Sequence, residues 1–125
     1  MDMKGYQQYK ERAIDTMTQG ELLLILYDEL VKRLKRSELA LDKEDYPTFE
    51  SSVDRSLDIV RYLDDTLDRQ YEISASLTRL YEFFCYELNR VKAGRNREEL
   101  ERIQVMVGEL RESFREAQRN NDSGK

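Results

Sequence analysis

The sequence predicts an all-α protein, an antiparallel up-and-down four-helix bundle preceded by a short N-terminal capping segment. Three observations carry that expectation. Apolar residues recur in steps of three and four through four successive stretches, with no β-type alternation to compete. Cap-type residues stand at the head of each stretch, and the links between stretches are short. Leu, Glu and Arg dominate while Gly numbers 5 and Pro 1, a composition that favours helix. At 125 residues the chain has the size of one domain with one core.

The first helix starts at Thr18, where Thr18 and Glu21 have capping-box spacing. Its stripe runs Leu23, Leu26, Leu30, Leu34 and Leu41, and the polar run Asp42-Lys43-Glu44-Asp45 stops it. Asp45 is a suitable N-cap for the second helix, and Pro47 is tolerated in the first turn, where its missing N–H has no helical partner anyway. That stripe continues as Phe49, Val53, Leu57, Val60, Leu63, Leu67 and Tyr71. A break is expected between Tyr71 and Ala75, with Ser74 and Ser76 as candidate caps; a continuous bent helix is the alternative, because no Gly or Pro marks the junction. The third helix carries Leu77, Leu80, Phe84, Leu88 and Val91 and ends at Gly94, read as the C′ residue. Asn96 and Glu99 cap the fourth helix, whose stripe is Leu100, Ile103, Val107, Leu110, Phe114 and Ala117. The expected division is a lid segment at 1–17, a bundle at 18–118 and a disordered polar tail at 119–125.

Leu22 to Tyr27 depart from the amphipathic pattern. Six apolar residues in a row point to every side of a helix turning about 100° per residue. A helix of a four-helix bundle keeps one outward face, so this run needs a cover or a partner. Residues 1–17, with Met3, Tyr6, Tyr9, Ala13, Ile14 and Met17 at helical spacing, form a segment too short to be a stable helix alone in water and supply such a cover. Tyrosine, apolar in its ring and polar at its tip, suits a surface that is sometimes wet; Tyr6, Tyr9 and Tyr27 lead among the eight, with Tyr71 and Tyr81 behind.

Several function classes are disfavoured by composition. No histidine is present, which removes the commonest acid–base group and the Glu-x-x-His motifs of a di-iron bundle. A single Cys85, set among Phe83, Phe84 and Tyr86, allows no internal disulfide and reads as a packed thiol. Two Glu-x-x-Glu pairs, Glu98/Glu101 and Glu109/Glu112, have the oxygen chemistry for Mg²⁺. They share one helix, lie outside its apolar stripe and alternate with arginines, the pattern of a solvated face. The basic clusters Lys32-Arg33-Lys35-Arg36 and Arg90-Lys92-Arg95-Arg97 lack interleaved aromatics, and the 21 basic residues are outnumbered by 26 acidic ones, so nucleic-acid binding is not expected. The apolar run is far shorter than the ~20 residues of a membrane span, so no membrane insertion is expected and the protein is expected to be cytoplasmic.

Certain residues, taken in order, resemble the flagellin-specific export chaperones of the FliS family. They are Tyr6-Gln7-Gln8-Tyr9, then Glu21-Leu22 through Leu26-Tyr27-Asp28, then Ile59, Leu63 and Leu67-Asp68, then Leu77 with Leu80-Tyr81, and finally Leu110-Arg111 and Phe114. The resemblance covers about residues 4–117 and is that of a divergent member: Met17-Thr18-Gln19 replaces the family's small residue and Pro, Glu29 a small residue, and Phe114 a Trp. It implies a flagellar secretion chaperone, not an enzyme and without cofactors or metal, that binds the disordered C-terminal segment of flagellin one-to-one in the cytosol. Such a protein would block premature polymerisation and deliver its client to the export apparatus. The client face is expected at Leu22, Leu23, Ile25, Leu26 and Tyr27 with Leu77 and Tyr81, covered in the free protein by a lid held through Tyr6, Tyr9 and Ile14. The competing expectation is a structural or regulatory module that self-associates through the same face as a weak homodimer.

Overall fold

The computed structural model describes residues 18–123, with side chains described through residue 120. Four helices follow one another: α1 (Gln19–Asp42), α2 (Tyr46–Asp65), α3 (Ile73–Gly94) and α4 (Arg97–Ser123). No strand occurs among the described residues. In the ring order of the bundle α1 packs against α2 and α4, and α3 closes the ring against the same two neighbours. Short links at 43–45, 66–72 and 95–96 reverse the chain each time, which gives the expected antiparallel four-helix bundle. The lid segment, residues 1–17, lies outside the described residues.

Four helix ends form where the cap chemistry predicts. Thr18 and Glu21 make a reciprocal capping box: the Glu21 N–H donates to Thr18 Oγ1 at 3.1 Å, and the Thr18 N–H to Glu21 Oε2 at 3.4 Å. Asp45 accepts from the Thr48 N–H at 3.3 Å, with Pro47 in the first turn of α2. Asn96 accepts from the Glu99 N–H at 3.0 Å. α1 closes in a Schellman arrangement, with Asp45 N–H bonded to Ala40 O at 2.9 Å and Glu44 N–H to Leu41 O at 3.0 Å. Glu44 takes the left-handed conformation this requires, φ 59°.

Four boundaries differ from expectation. α2 stops at Asp65, before Leu67 and Tyr71, whereas α3 is the separate helix expected rather than the bent continuation that was its alternative. Between them Asp68 organises the link: its side chain accepts from Gln70 N–H at 3.0 Å and its carbonyl from Tyr71 N–H at 3.3 Å. Neither Ser74 nor Ser76 caps α3. Glu72 occupies the cap position without a side-chain bond, while Ser74 is buried and its hydroxyl donates back to the Asp68 carbonyl. At the end of α3 the left-handed residue is Arg95, φ 52°, one place beyond Gly94, and Asn96 N–H bonds to Val91 O at 3.3 Å. The Arg95 guanidinium lies 3.5 Å from the Tyr46 ring centroid, a cation–π contact that holds the strained residue in place. Finally, α4 continues to Ser123, through positions expected in a disordered tail.

The core holds most of the predicted stripes, but Ala117, expected to extend the last one, is exposed near the end of α4. Leu30 and Leu34, Phe49, Val53, Val60 and Leu63, Phe84, Leu88 and Val91, and Leu100, Ile103 and Val107 are at most 1% exposed. Leu23, Leu26 and Leu41 of the first stripe, and Leu110 and Phe114 of the last, pack against this core while remaining partly open. No described helix is long and apolar enough to cross a membrane.

Candidate docking groove

The run that needs a cover does not find one within the described bundle. Leu22, Leu23, Leu24 and Leu26 are half-buried, Ile25 is 46% exposed, and only Tyr27 is fully enclosed. Leu23 and Ile25 are two residues apart on a helix and so face nearly opposite directions. They cannot line one groove, and the expected client face therefore divides.

Tyr27 and Tyr81 take no part in an open surface. Both rings lie in the core, and their hydroxyls hydrogen-bond to each other across the bundle from α1 to α3. Tyr27 also packs on Phe114, with ring centroids 5.1 Å apart. Burial pushes the Tyr27 phenol well above its ordinary range and raises that of Tyr81, so both stay neutral. Each polar tip that suggested a wet surface is satisfied by the other tyrosine.

Leu23 and Leu77 are brought together. They meet in a groove of about 410 Å³ at the end of the bundle where α1 and α3 begin. Leu67, Tyr71, Ile73 and Phe114 complete its apolar lining, and Gln19, Thr66, Asp68 and Ser74 add polar atoms. Leu77 itself is only 7% exposed, whereas Tyr71 and Ile73 stand 67% and 62% exposed. α4 reaches this end of α1: a side chain on Gly20 would collide with the Gln118 amide. Lower down, Arg111 and Arg115 pair with Asp28 of α1 at 3.4 and 3.7 Å.

Tyr71 and Ile73 are the groove residues the sequence reading underrated. Tyr71 continues the α2 stripe in the sequence but sits in the link, and Ile73 belongs to no stripe. The sequence signal available was Asp68-Arg69-Gln70, a polar run that interrupts α2 and frees the apolar residues after it. Leu22, Ile25 and Leu26 are not among its lining residues, and Ile25 faces away from it.

The four glutamates weighed as metal ligands are exposed. Glu101 pairs with Arg97 at 3.5 Å, and Glu112 with Arg111 at 3.0 Å and Arg115 at 3.5 Å. The Arg111 hydrogen bond, with the Arg115 charge, holds the Glu112 carboxyl below its usual range. Cys85 is half-buried and burial pushes its thiol up, away from reactivity.

The family described as "Flagellar protein FliS" matches residues 2–121, nearly the whole chain. The flagellar secretion chaperone FliS of Bacillus subtilis (strain 168) is 25% identical over 112 residues, covering 90% of this chain and 84% of that protein. A solved structure described as a flagellar chaperone from bacteria superposes with a TM-score of 0.78 at 19% identity, over 96% of this chain and 99% of the other, and shares the fold. The resemblance read from short motifs is thus borne out: this chain belongs to the FliS family of flagellar secretion chaperones, which are not enzymes and serve a flagellar client.

Proposed function

We propose that the chain binds the disordered C-terminal segment of flagellin in the cytosol, prevents its premature polymerisation and presents it to the export apparatus. The observation that carries this reading is the apolar groove at the open end of a bundle from a flagellar chaperone family. Tyr71 and Ile73 are exposed there beside Leu23, Leu77 and Phe114. A helix-prone apolar client segment would insert its side chains into that groove and extend over Leu22 and Leu26. Burial of each Leu- or Ile-sized side chain supplies roughly 1.5–3 kcal/mol.

Residues 1–17 serve in this reading as a displaceable lid, with Tyr6, Tyr9 and Ile14 as its anchors. The lid competes with the client, so removing it raises apparent affinity by the reciprocal of the fraction of time it was open. Titration calorimetry with a flagellin C-terminal peptide tests both parts. Ile73→Asp should weaken binding at least tenfold without unfolding the bundle, and deletion of residues 1–15 should strengthen it. Equal affinity of Ile73→Asp and the unaltered protein removes the groove from the reading. Weaker binding after deletion removes the competing lid. Light scattering should give a one-to-one complex; a dimer unaltered by the peptide would instead support self-association.

A further inference from the structure

A second groove, of about 330 Å³, lies between α1 and α2 and is polar where the first is apolar. Three arginines line it, Arg33 and Arg36 from α1 and Arg55 from α2, together with the hydroxyl-bearing Thr48 and Ser51 and the ring of Pro47. No carboxylate is among the described residues that line it. This is unusual in a chain with net charge −5. Most arginines in the described bundle are paired with a carboxylate: Arg61, Arg69, Arg90, Arg97, Arg102, Arg111 and Arg115 all are. Arg36 and Arg55 make no ion pair with any described residue, and Arg33 pairs through its Nε with Glu29 at 2.8 Å, which leaves its terminal nitrogens. Guanidinium groups present rigid donor forks that match carboxylates.

The shape of the groove selects among anions. Its wall on α2 runs from Pro47 to Ser51 to Arg55, a rise of about 12 Å, which an extended peptide covers in about four residues. A lone phosphate is much smaller. The N-terminus of α2, the other feature that would attract phosphate, is already occupied by the Asp45 carboxylate. We infer that the α1–α2 groove is a docking site for a short acidic peptide segment of a partner protein, gripped by Arg33, Arg36 and Arg55. Along α1 it lies about 18 Å from Leu23 of the apolar groove, so both can be occupied at once.

The test is titration of the full chain with capped hexaglutamate at low ionic strength, followed by amide NMR shifts. Shifts should concentrate at 33–36 and 47–55, and affinity should fall as salt is raised. Arg36→Gln and Arg55→Gln should each weaken binding about tenfold or more, with the thermal midpoint unmoved, because both side chains are exposed. Arg79→Gln, at another exposed arginine, should bind like the unaltered protein. The inference is overturned if Arg79→Gln loses as much as Arg36→Gln, if the double variant Arg36→Gln/Arg55→Gln binds undiminished, or if no binding is seen. Displacement of the peptide by equimolar inorganic phosphate also overturns it, since the site is then a small-anion pocket.

Discussion

The two ends of the bundle are built differently. At the end holding the 43–45 and 95–96 links, two left-handed residues close two helices tightly, and Arg95 stacks on Tyr46 across the links. Arg97 ties α4 to α1 there, 2.9 Å from Asp42 and 3.3 Å from Glu38. At the other end the 66–72 link is longer, α3 starts without a side-chain cap, and Tyr71 and Ile73 stand exposed around an apolar groove. Caps and cross-links hold the closed end in one arrangement, and the open end leaves apolar surface unspent on its own core. On the proposed reading, stability and binding fall to different residues, which makes them separable by mutation.

The largest expected effect breaks that separation at the closed end. Phe49, fully buried near the start of α2, should cost about 3–5 kcal/mol when truncated to Ala, read as a lowered urea midpoint. The comparable truncation Ile73→Ala at the open end should cost under about 0.5 kcal/mol, as surface positions do, while weakening the flagellin peptide. If the two variants unfold at similar urea concentrations, the division of labour between the ends is wrong.

An intermediate effect is expected at the Tyr27–Tyr81 bond, which joins α1 to α3 just inside the groove. Tyr27→Phe leaves the buried Tyr81 hydroxyl without its partner and should cost about 1–3 kcal/mol, whereas Tyr27→Phe/Tyr81→Phe should cost less than the sum of the single changes. The pair also sets an alkaline limit. Burial raises both phenols above the ordinary value near 10, so the native state holds protons that the unfolded chain releases. Their contribution is complete below about pH 10 and declines as pH rises past it. Urea midpoints followed from pH 8 to 11 should therefore fall less steeply in the double Phe variant. Lys92, raised by its hydrogen bond to Asp54, loses charge in the same direction, so the variant's curve flattens without becoming level.

The smallest effect sharpens the view of the closed end. Glu44 pays a left-handed backbone cost that glycine does not, and Glu44→Gly should stabilise by about 0.5–1 kcal/mol once glycine's larger unfolded entropy is subtracted. A destabilised variant in the same urea titration would mean the Glu44 side chain contributes more than its backbone costs.

How much was legible in the sequence follows the range of the interactions involved. Thr18, Asp45 and Asn96 cap their helices through bonds to residues three places on, so local spacing sufficed to find them. The buried stripes were equally legible, because helical period alone assigns a residue to a face. The groove was only half legible. Leu23 and Leu77 follow from the apolar run and the family motifs, but the same signals put Tyr27 and Tyr81 on the surface, whereas both are buried. Period gives the direction in which a side chain points and not the depth at which its neighbours close over it.

The sequence by itself determined a four-helix bundle, the caps at Thr18, Asp45 and Asn96, most of the core stripes and the family, because each depends on contacts within a turn, on helical period or on the order of short motifs. Tertiary structure alone decided where α2 stops, which way the apolar run divides, and that three arginines distant in sequence line one groove. Those depend on Ser74 reaching back to Asp68, on α4 lying against α1, and on α2 folding back along α1. Residues far apart in the chain meet only once the helices pack, and no local pattern records which of them will do so.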